Sequence, residues 1–316
     1  MKGVKQQGLR WGEGIRNLGV TLAFLALAGL SAAESSADKT PPKLAIVIDD
    51  IGNSLSAGEA VIRLHLPLTL AVLPFTAHAH ALAELGHRHH KEIMLHAPMS
   101  NIQGFRLGRG GLYDSMSETE FKTQLRRNIA AVPHLRGVNN HMGSLLTQNV
   151  EAMQWVMQTL NEFDLYFIDS RTIAATQAEA VAQQQTTPHR RRDVFLDHVQ
   201  SISHTRDQLS RAITLAKQNG SALAIGHPYP STLAVLREYS VNPDTHIQLV
   251  FASELVTPHT THRITSRALR HRASSSSVLS YCPMPAWMSL PLSREMLKSP
   301  IDIYTAVTYF HELSPN

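Results

Sequence analysis

The sequence predicts an α/β chain folded as a (β/α) barrel of seven or eight units, and three observations predict it. Apolar runs of strand length such as LAIVI, EIML, LYFI and ALAI are continuous rather than alternating, as in strands buried on both faces of a parallel sheet. Helical patterns separate these runs. A residue able to do chemistry follows six of the runs at once, and in parallel βα folds the site lies at the carboxyl ends of the strands.

In chain order the expected strands are 43–49, 68–73, 92–96, 136–140, 165–169, 193–197, 221–226 and 246–251. Ser117 and Glu120 form a capping-box signature ahead of FKTQLRRNIAAV, which marks a helix start. Val150, Met153, Val156, Met157 and Leu160 recur at helical spacing, as do Leu209, Ala212, Ile213 and Ala216. A doubly wound open sheet is the alternative. It would gather its chemistry at one switch point, whereas here the reactive residues spread over six strand ends, which favours a barrel. The Gly-rich segment 97–116 is long for a loop and follows a candidate site residue, so it is expected to serve the site.

Charge and composition narrow the function. A net charge of +4 and a pI near 9.3 are mildly basic, but the arginines are scattered, with no basic helix interleaved with aromatics and no zinc-finger spacing. No nucleic-acid partner is expected. Lys2, Lys5, Arg10 and Arg16 precede an apolar stretch, Leu18 to Leu30, too short to span a bilayer, and Ser31-Ala32-Ala33 supplies small residues after it. Residues 1–33 therefore read as a signal peptide, with export to the periplasm and no stable membrane span after processing. Residues 34–42 form a polar linker, 43–256 the barrel, and 257–316 a poorly ordered tail without βα units. A lone cysteine, Cys282, excludes an intramolecular disulfide. No P-loop, GxSxG elbow or CxxC pair occurs.

The strand ends carry carboxylates and imidazoles, the groups that bind metals and move protons. At Asp49-Asp50 one carboxylate can serve as a metal ligand and the other as a base. His96 and His141 offer neutral imidazole, the usual zinc ligand. His227, in GHPYP, is a candidate general acid or ligand. Asp169 and Asp197 can orient a catalytic histidine, and Arg171 can pair with either. A glycosidase would instead use two carboxylates about 5–9 Å apart, for which Asp169 and Asp197 are the candidates.

The motifs IDDIGNS, LPLTLAVLPF, EIMLHAPM, GVNNHMGSLLT, YFIDSRT, VFLDH and IGHPYPSTL, in that order over about residues 43–256, resemble the divergent polysaccharide deacetylase family of bacterial envelope proteins. The resemblance implies a distorted (β/α) barrel of the polysaccharide deacetylase type, a divalent metal, zinc by expectation, and an envelope glycan as substrate. It implies Asp49 as base, Asp50 and His96 as metal ligands, and His227 as acid. Two departures from ordinary polysaccharide deacetylases stand out. Ser100 occupies the place of a second metal histidine four residues after His96, and Asn139-Asn140-His141-Met142-Gly143-Ser144 replaces an Arg-Pro-Pro-Tyr motif. The second imidazole must then come from His141, with Asn140 supporting it.

Overall fold

A computed structural model describes residues 40–256; the expected signal peptide, most of the linker and the tail 257–316 lie outside the described residues. Nine strands form one sheet: β1 (Lys43–Ile51), β2 (Thr69–Val72), β3 (Glu92–Met99), β4 (Leu135–Met142), β5 (Tyr166–Asp169), β6 (His189–Arg191), β7 (Val194–Phe195), β8 (Ser221–Gly226) and β9 (Gln248–Val250). Every strand pairing is parallel. Parallel neighbours need crossovers, and helices supply them: α1 (Leu55–Ile62), α2 (Ala79–Arg88), α3 (Glu118–Ala131), α4 (Val150–Asn161), α5 (Ala178–Gln184), α6 (Ile202–Asn219) and α7 (Pro230–Val241). The capping box at Ser117 and Glu120 forms as expected and starts α3.

The ladder runs β6-β5-β4-β3-β2-β1-β8-β7, so its two ends, β6 and β7, are neighbours in sequence. One extended segment thus closes the ring. The Arg192 amide donates to the Asp169 carbonyl beside β5, and the next amide, Asp193, donates to the Leu223 carbonyl on β8, each at 2.9 Å. Successive amides of a strand point to opposite sides, so a single strand joins both edges. The barrel has seven stave positions, the sixth being β6 and β7 together. The expected strand 193–197 is the second half of that stave.

The expected strand at 246–251 is not an eighth stave. Its core, β9, pairs only with Lys43–Ala45 of β1, below the point where β2 begins to pair at Val47. The chain then turns through Ala252–Glu254 across the amino end of the barrel. There Glu92 Oε1 accepts hydrogen bonds from Thr69 Oγ1 (2.9 Å), Tyr166 OH (2.8 Å) and the Ser253 amide (3.2 Å). A buried carboxylate is tolerable only with such donors.

Continuous apolarity has the cause the sequence suggested. Residues of one parity, Ala45, Val47, Ala71, Met94, Tyr166, Ile168, Leu223 and Ile225, pack together inside the barrel. The other parity, including Leu44, Ile46, Ile48, Leu70, Ile93, Leu95, Val138 and Phe167, packs outward under the helices. Gly137 on β4 shares the inner face. A Cβ there would lie 2.3 Å from the Tyr166 ring, whose hydroxyl is already tied to Glu92. Gly137→Ala is therefore expected to destabilise the fold by about 1–3 kcal/mol, as overpacking in a rigid core does. Urea unfolding of the two proteins measures it, and an unchanged midpoint would show that the ring can move aside.

Candidate metal centre

The inward parity carries on past the apolar floor to the carboxyl end. After Ala45 and Val47 it reaches Asp49; after Met94, His96; after Gly137, Asn139 and His141; after Leu223 and Ile225, His227. Phe195 and Asp197 continue it from the sixth stave. Asp50 is out of phase, and the backbone corrects this. β1 advances three positions from Ile48 to Ile51 where β2 advances two, from Leu70 to Val72, a bulge at Asp49-Asp50. Asp50 itself has φ 59, the left-handed region that non-glycine residues seldom occupy and that tends to be held at functional sites. Gly52 follows at φ 129, where a Cβ would collide with Thr76 Oγ1 at 2.1 Å, so glycine lets the bulged chain pass under the β2–α2 loop.

Three atoms converge as a result. Asp50 Oδ1 lies 3.2 Å from His96 Nε2 and 3.1 Å from His141 Nδ1, and the two nitrogens are 3.1 Å apart. These residues, expected from sequence as ligands, form a group that could hold a metal ion, with ligand atoms within 4.8 Å of one another. Two features of the chain fit a cation there. Asp50 Oδ1 is a buried oxygen without a hydrogen-bond donor. Asn139 donates from Nδ2 to Asp49 Oδ1 (2.8 Å), so its Oδ1 is an acceptor, and His96 Nδ1 must donate to it (2.7 Å). The neutral tautomer with its proton on Nδ1 leaves the Nε2 lone pair facing Asp50 and His141, the state a metal requires. β3 and β4 are in register with His96 opposite Asn139, which makes this bond a consequence of strand pairing.

The two aspartates differ in environment. Burial, the largest influence on each, pushes both carboxyls up. At Asp50, His141, His96 and His227 outweigh burial and hold it well below the usual range. At Asp49, burial prevails over His96, His227 and Asn139, and the carboxyl is raised. The surroundings thus push the two neighbouring carboxyls in opposite directions, the pattern seen where paired carboxylates divide acid–base roles. For His96 burial alone would lower the pKa, but Asp49, Asp50 and the Asn139 bond raise it. The field that draws a proton to this imidazole equally draws a cation.

His227 faces the group from the far side, with Nε2 3.8 Å from Asp50 Oδ2. Its Nδ1 and its own amide both donate to Asp197, whose Oδ2 also accepts from Thr232 Oγ1 at 2.7 Å. The ring sits between Phe195, edge-on with centroids 5.5 Å apart, and Tyr229, stacked at 5.1 Å. Burial would lower the His227 pKa, but the Asp197 bond and the charges of Asp50, Asp197 and Asp49 raise it to about 9.

The supporting residues divide by parity. Asp197 holds His227. Asn140 lies on the other face of β4, where it bonds the Met142 carbonyl (2.8 Å) and the Ser170 amide (2.9 Å) and braces the turn after His141. Asp169 is likewise out of phase. Its oxygens accept from the Arg171 amide (2.8 Å) and Thr176 Oγ1 (3.0 Å), so it shapes the β5–α5 loop. The expected Arg171 ion pair does not occur among the described residues; Arg171 meets Asp169 through its backbone. Asp169 and Asp197 are thus both engaged by hydrogen bonds, and neither is the free carboxylate that a glycosidase pair would need. Ser100, in the place of the missing histidine, bonds the Leu112 carbonyl (3.2 Å) and the Asp114 amide (3.1 Å) and folds segment 97–116.

Asn139, Arg192, Phe195, Tyr229 and Thr232 were not picked out from sequence as site residues. Asn139 had a usable signal, its spacing of two from His141. Arg192 lies on the closing stave: it donates to the Ser170 (2.7 Å) and Arg171 (2.9 Å) carbonyls and covers the Phe195 ring at 4.9 Å. Burial lowers its pKa, and Asp49 leads the opposing charges.

Comparison with known proteins places these motifs. The sequence pattern of the divergent polysaccharide deacetylase family matches residues 46–256. The uncharacterized protein YibQ of Escherichia coli K12 is 41% identical over 235 residues, 74% of this chain and 72% of that one. An uncharacterized protein of Haemophilus influenzae is 35% identical over 208 residues, 66% of this chain and 74% of its own. The crystal structure of uncharacterized protein ATU2773 of Agrobacterium tumefaciens C58 shares the fold with a TM-score of 0.66 at 23% identity, covering 68% of this chain and 89% of that one.

The His227–Asp197 pair yields a sign that can be checked. In metal-free protein His227 is expected to titrate near 9, and Asp197→Asn to lower that value, since it removes the partner of the imidazolium. Because the folded pKa exceeds the unfolded value of 6.5, the pair's contribution to stability is full below pH 6.5 and is lost as pH rises through about 9. NMR titration of the ring reads the first statement and urea unfolding against pH the second; an imidazole titrating at 6.5 in the wild type would refute both.

Proposed function

The chain belongs to the divergent polysaccharide deacetylase family, and on that premise we propose that it is an exported, zinc-dependent hydrolase that removes acetyl groups from an envelope polysaccharide. The observation that carries this reading is the convergence of Asp50 Oδ1, His96 Nε2 and His141 Nδ1, with Asp49 and His227 on either side. Three N/O donors leave an open position, as catalytic rather than structural zinc sites do. A dication held there supplies Lewis acidity to a water and to an acyl oxygen. Asp49, with its raised carboxyl, takes the proton of the attacking water. His227, charged at neutral pH, delivers a proton to the departing amine or alcohol, so water and an acetylated sugar become acetate and a free sugar. Asn139 holds the base and a ligand together through its two bonds. His141, on the strand next to that of His96, would supply the second imidazole that Ser100 does not.

A second reading, a non-catalytic glycan-binding or envelope-assembly protein that keeps the fold, is favoured by Ser100 in place of that histidine and by the absent Arg-Pro-Pro-Tyr motif. Export rests on the basic start and short apolar run. No helix among the described residues is long and apolar enough to cross a membrane.

Metal analysis of the purified protein, paired with acetate release from acetylated chitooligosaccharides and peptidoglycan, separates the readings. Bound zinc with acetate release is expected, and metal without release would favour the binding protein. Asp49→Asn should keep the metal and lose about 10²–10⁴-fold in rate, whereas His141→Ala should lose metal and activity together. N-terminal sequencing of the periplasmic protein is expected to begin after Ala33; an intact Met1 in the membrane fraction would mean an anchor.

A further inference from the structure

A second pair of imidazoles lies beside the acid, outside everything assigned above. His198 follows Asp197 in the loop after the sixth stave, and its side chain is exposed. His204 sits in the first turn of α6, half-buried, and its position is fixed by the helix cap: its amide donates to Ser201 Oγ at 3.2 Å. His198 Nδ1 and His204 Nε2 are 3.2 Å apart, with ring centroids at 4.2 Å and planes at 85°. Two ligands bound at about 2.0–2.1 Å to a tetrahedral centre are themselves about 3.3 Å apart, so this spacing is that of one edge of a coordination tetrahedron. Without a metal the two nitrogens are within hydrogen-bond distance of each other, and a cation bound by both would replace that bond. With His198 exposed, water or a substrate oxygen can reach the remaining positions.

We propose that His198 and His204 form a second, exchangeable site for a borderline divalent cation of the zinc–copper class, and that occupation of this site by excess metal inhibits the enzyme. The donors suit that class, since imidazole binds zinc and copper(II) in preference to magnesium or calcium. Two protein ligands rather than three make it the weaker of the two sites, so it fills after the central one. Inhibition follows from position. Phe195 is the shared neighbour, its ring 6.1 Å from His198 and 5.5 Å from His227. A hydrated dication held at His198 stands across the Phe195 ring from His227 and obstructs the approach of substrate to the acid. The inhibitory part rests on the hydrolase reading; the binding part does not.

Equilibrium dialysis of the full chain against zinc tests the binding, at free metal above the level that fills the central site. His198→Ala and His204→Ala should each bind about one equivalent less than wild type. His96→Ala should lose the central equivalent and keep the outer one, and His87→Ala, elsewhere on the surface, should leave outer binding unchanged. If both His198→Ala and His204→Ala bind as much zinc as wild type, the pair is only hydrogen-bonded and the proposal fails. In the activity arm, excess zinc should slow acetate release by wild type and slow His204→Ala less. Lost binding with inhibition undiminished would overturn the inhibitory role. Wild type that releases no acetate at any zinc level, with the binding difference intact, would instead refute the hydrolase reading.

Discussion

A closed parallel barrel allows each stave to send only every second side chain inward, and that alternation decides what the site can contain. The inner set begins as Ala45, Val47, Met94, Leu223 and Ile225 and ends as Asp49, His96 and His227 without a break in phase. The apolar floor and the polar mouth are one continuous lining. Floor residues exclude water from beneath the carboxylates, which is why burial is the leading influence on both Asp49 and Asp50. The one candidate ligand that breaks phase, Asp50, is brought in by a bulge and a left-handed backbone, so the strain in β1 is located where a metal would be held.

Much of this was legible in the sequence because continuous apolar runs and their polar sequels are local signals. The strand positions, the α3 start at Ser117, and Asp50, His96, His141 and His227 could all be read from short windows. What could not be read was non-local. Closure of the ring depends on amides of Arg192 and Asp193 reaching strands that lie on either side in space, and nothing in HRRRDVF announces it. The segment near 246–251 looks like a stave because it is apolar, yet β1 and β2 already fill the place an eighth would need. Parity, by contrast, was available and would have sorted the supporting residues. Asn139 shares phase with His141 and belongs to the site, whereas Asn140 and Asp169 do not and instead hold the loops that follow their strands.

Asn139 shows how little material a functional division requires. One amide donates to Asp49 and accepts from His96, so it fixes an imidazole tautomer and a carboxylate in a single gesture. Glutamine would be a methylene too long for the register that sets His96 beside it. Aspartate would supply no donor to Asp49 and would add a like charge to a carboxyl already raised by burial. The register of β3 and β4 thus gathers Asp49, His96 and Asn139 around one point.

The sixth stave is the thinnest part of the wall. Its pairing is three residues on one side, His189–Arg191, and two on the other, Val194–Phe195. Local opening in a folded protein begins where the fewest backbone bonds must break. This stave also bears Arg192, Phe195 and Asp197, which position His227, whereas the imidazoles of the metal centre stand on the long, well-paired strands β3 and β4. His227 and the two candidate imidazole ligands are thus held by parts of the wall with different amounts of backbone pairing. Opening at this seam would change the gap between His227 and the candidate ligands and leave the ligands' own spacing intact.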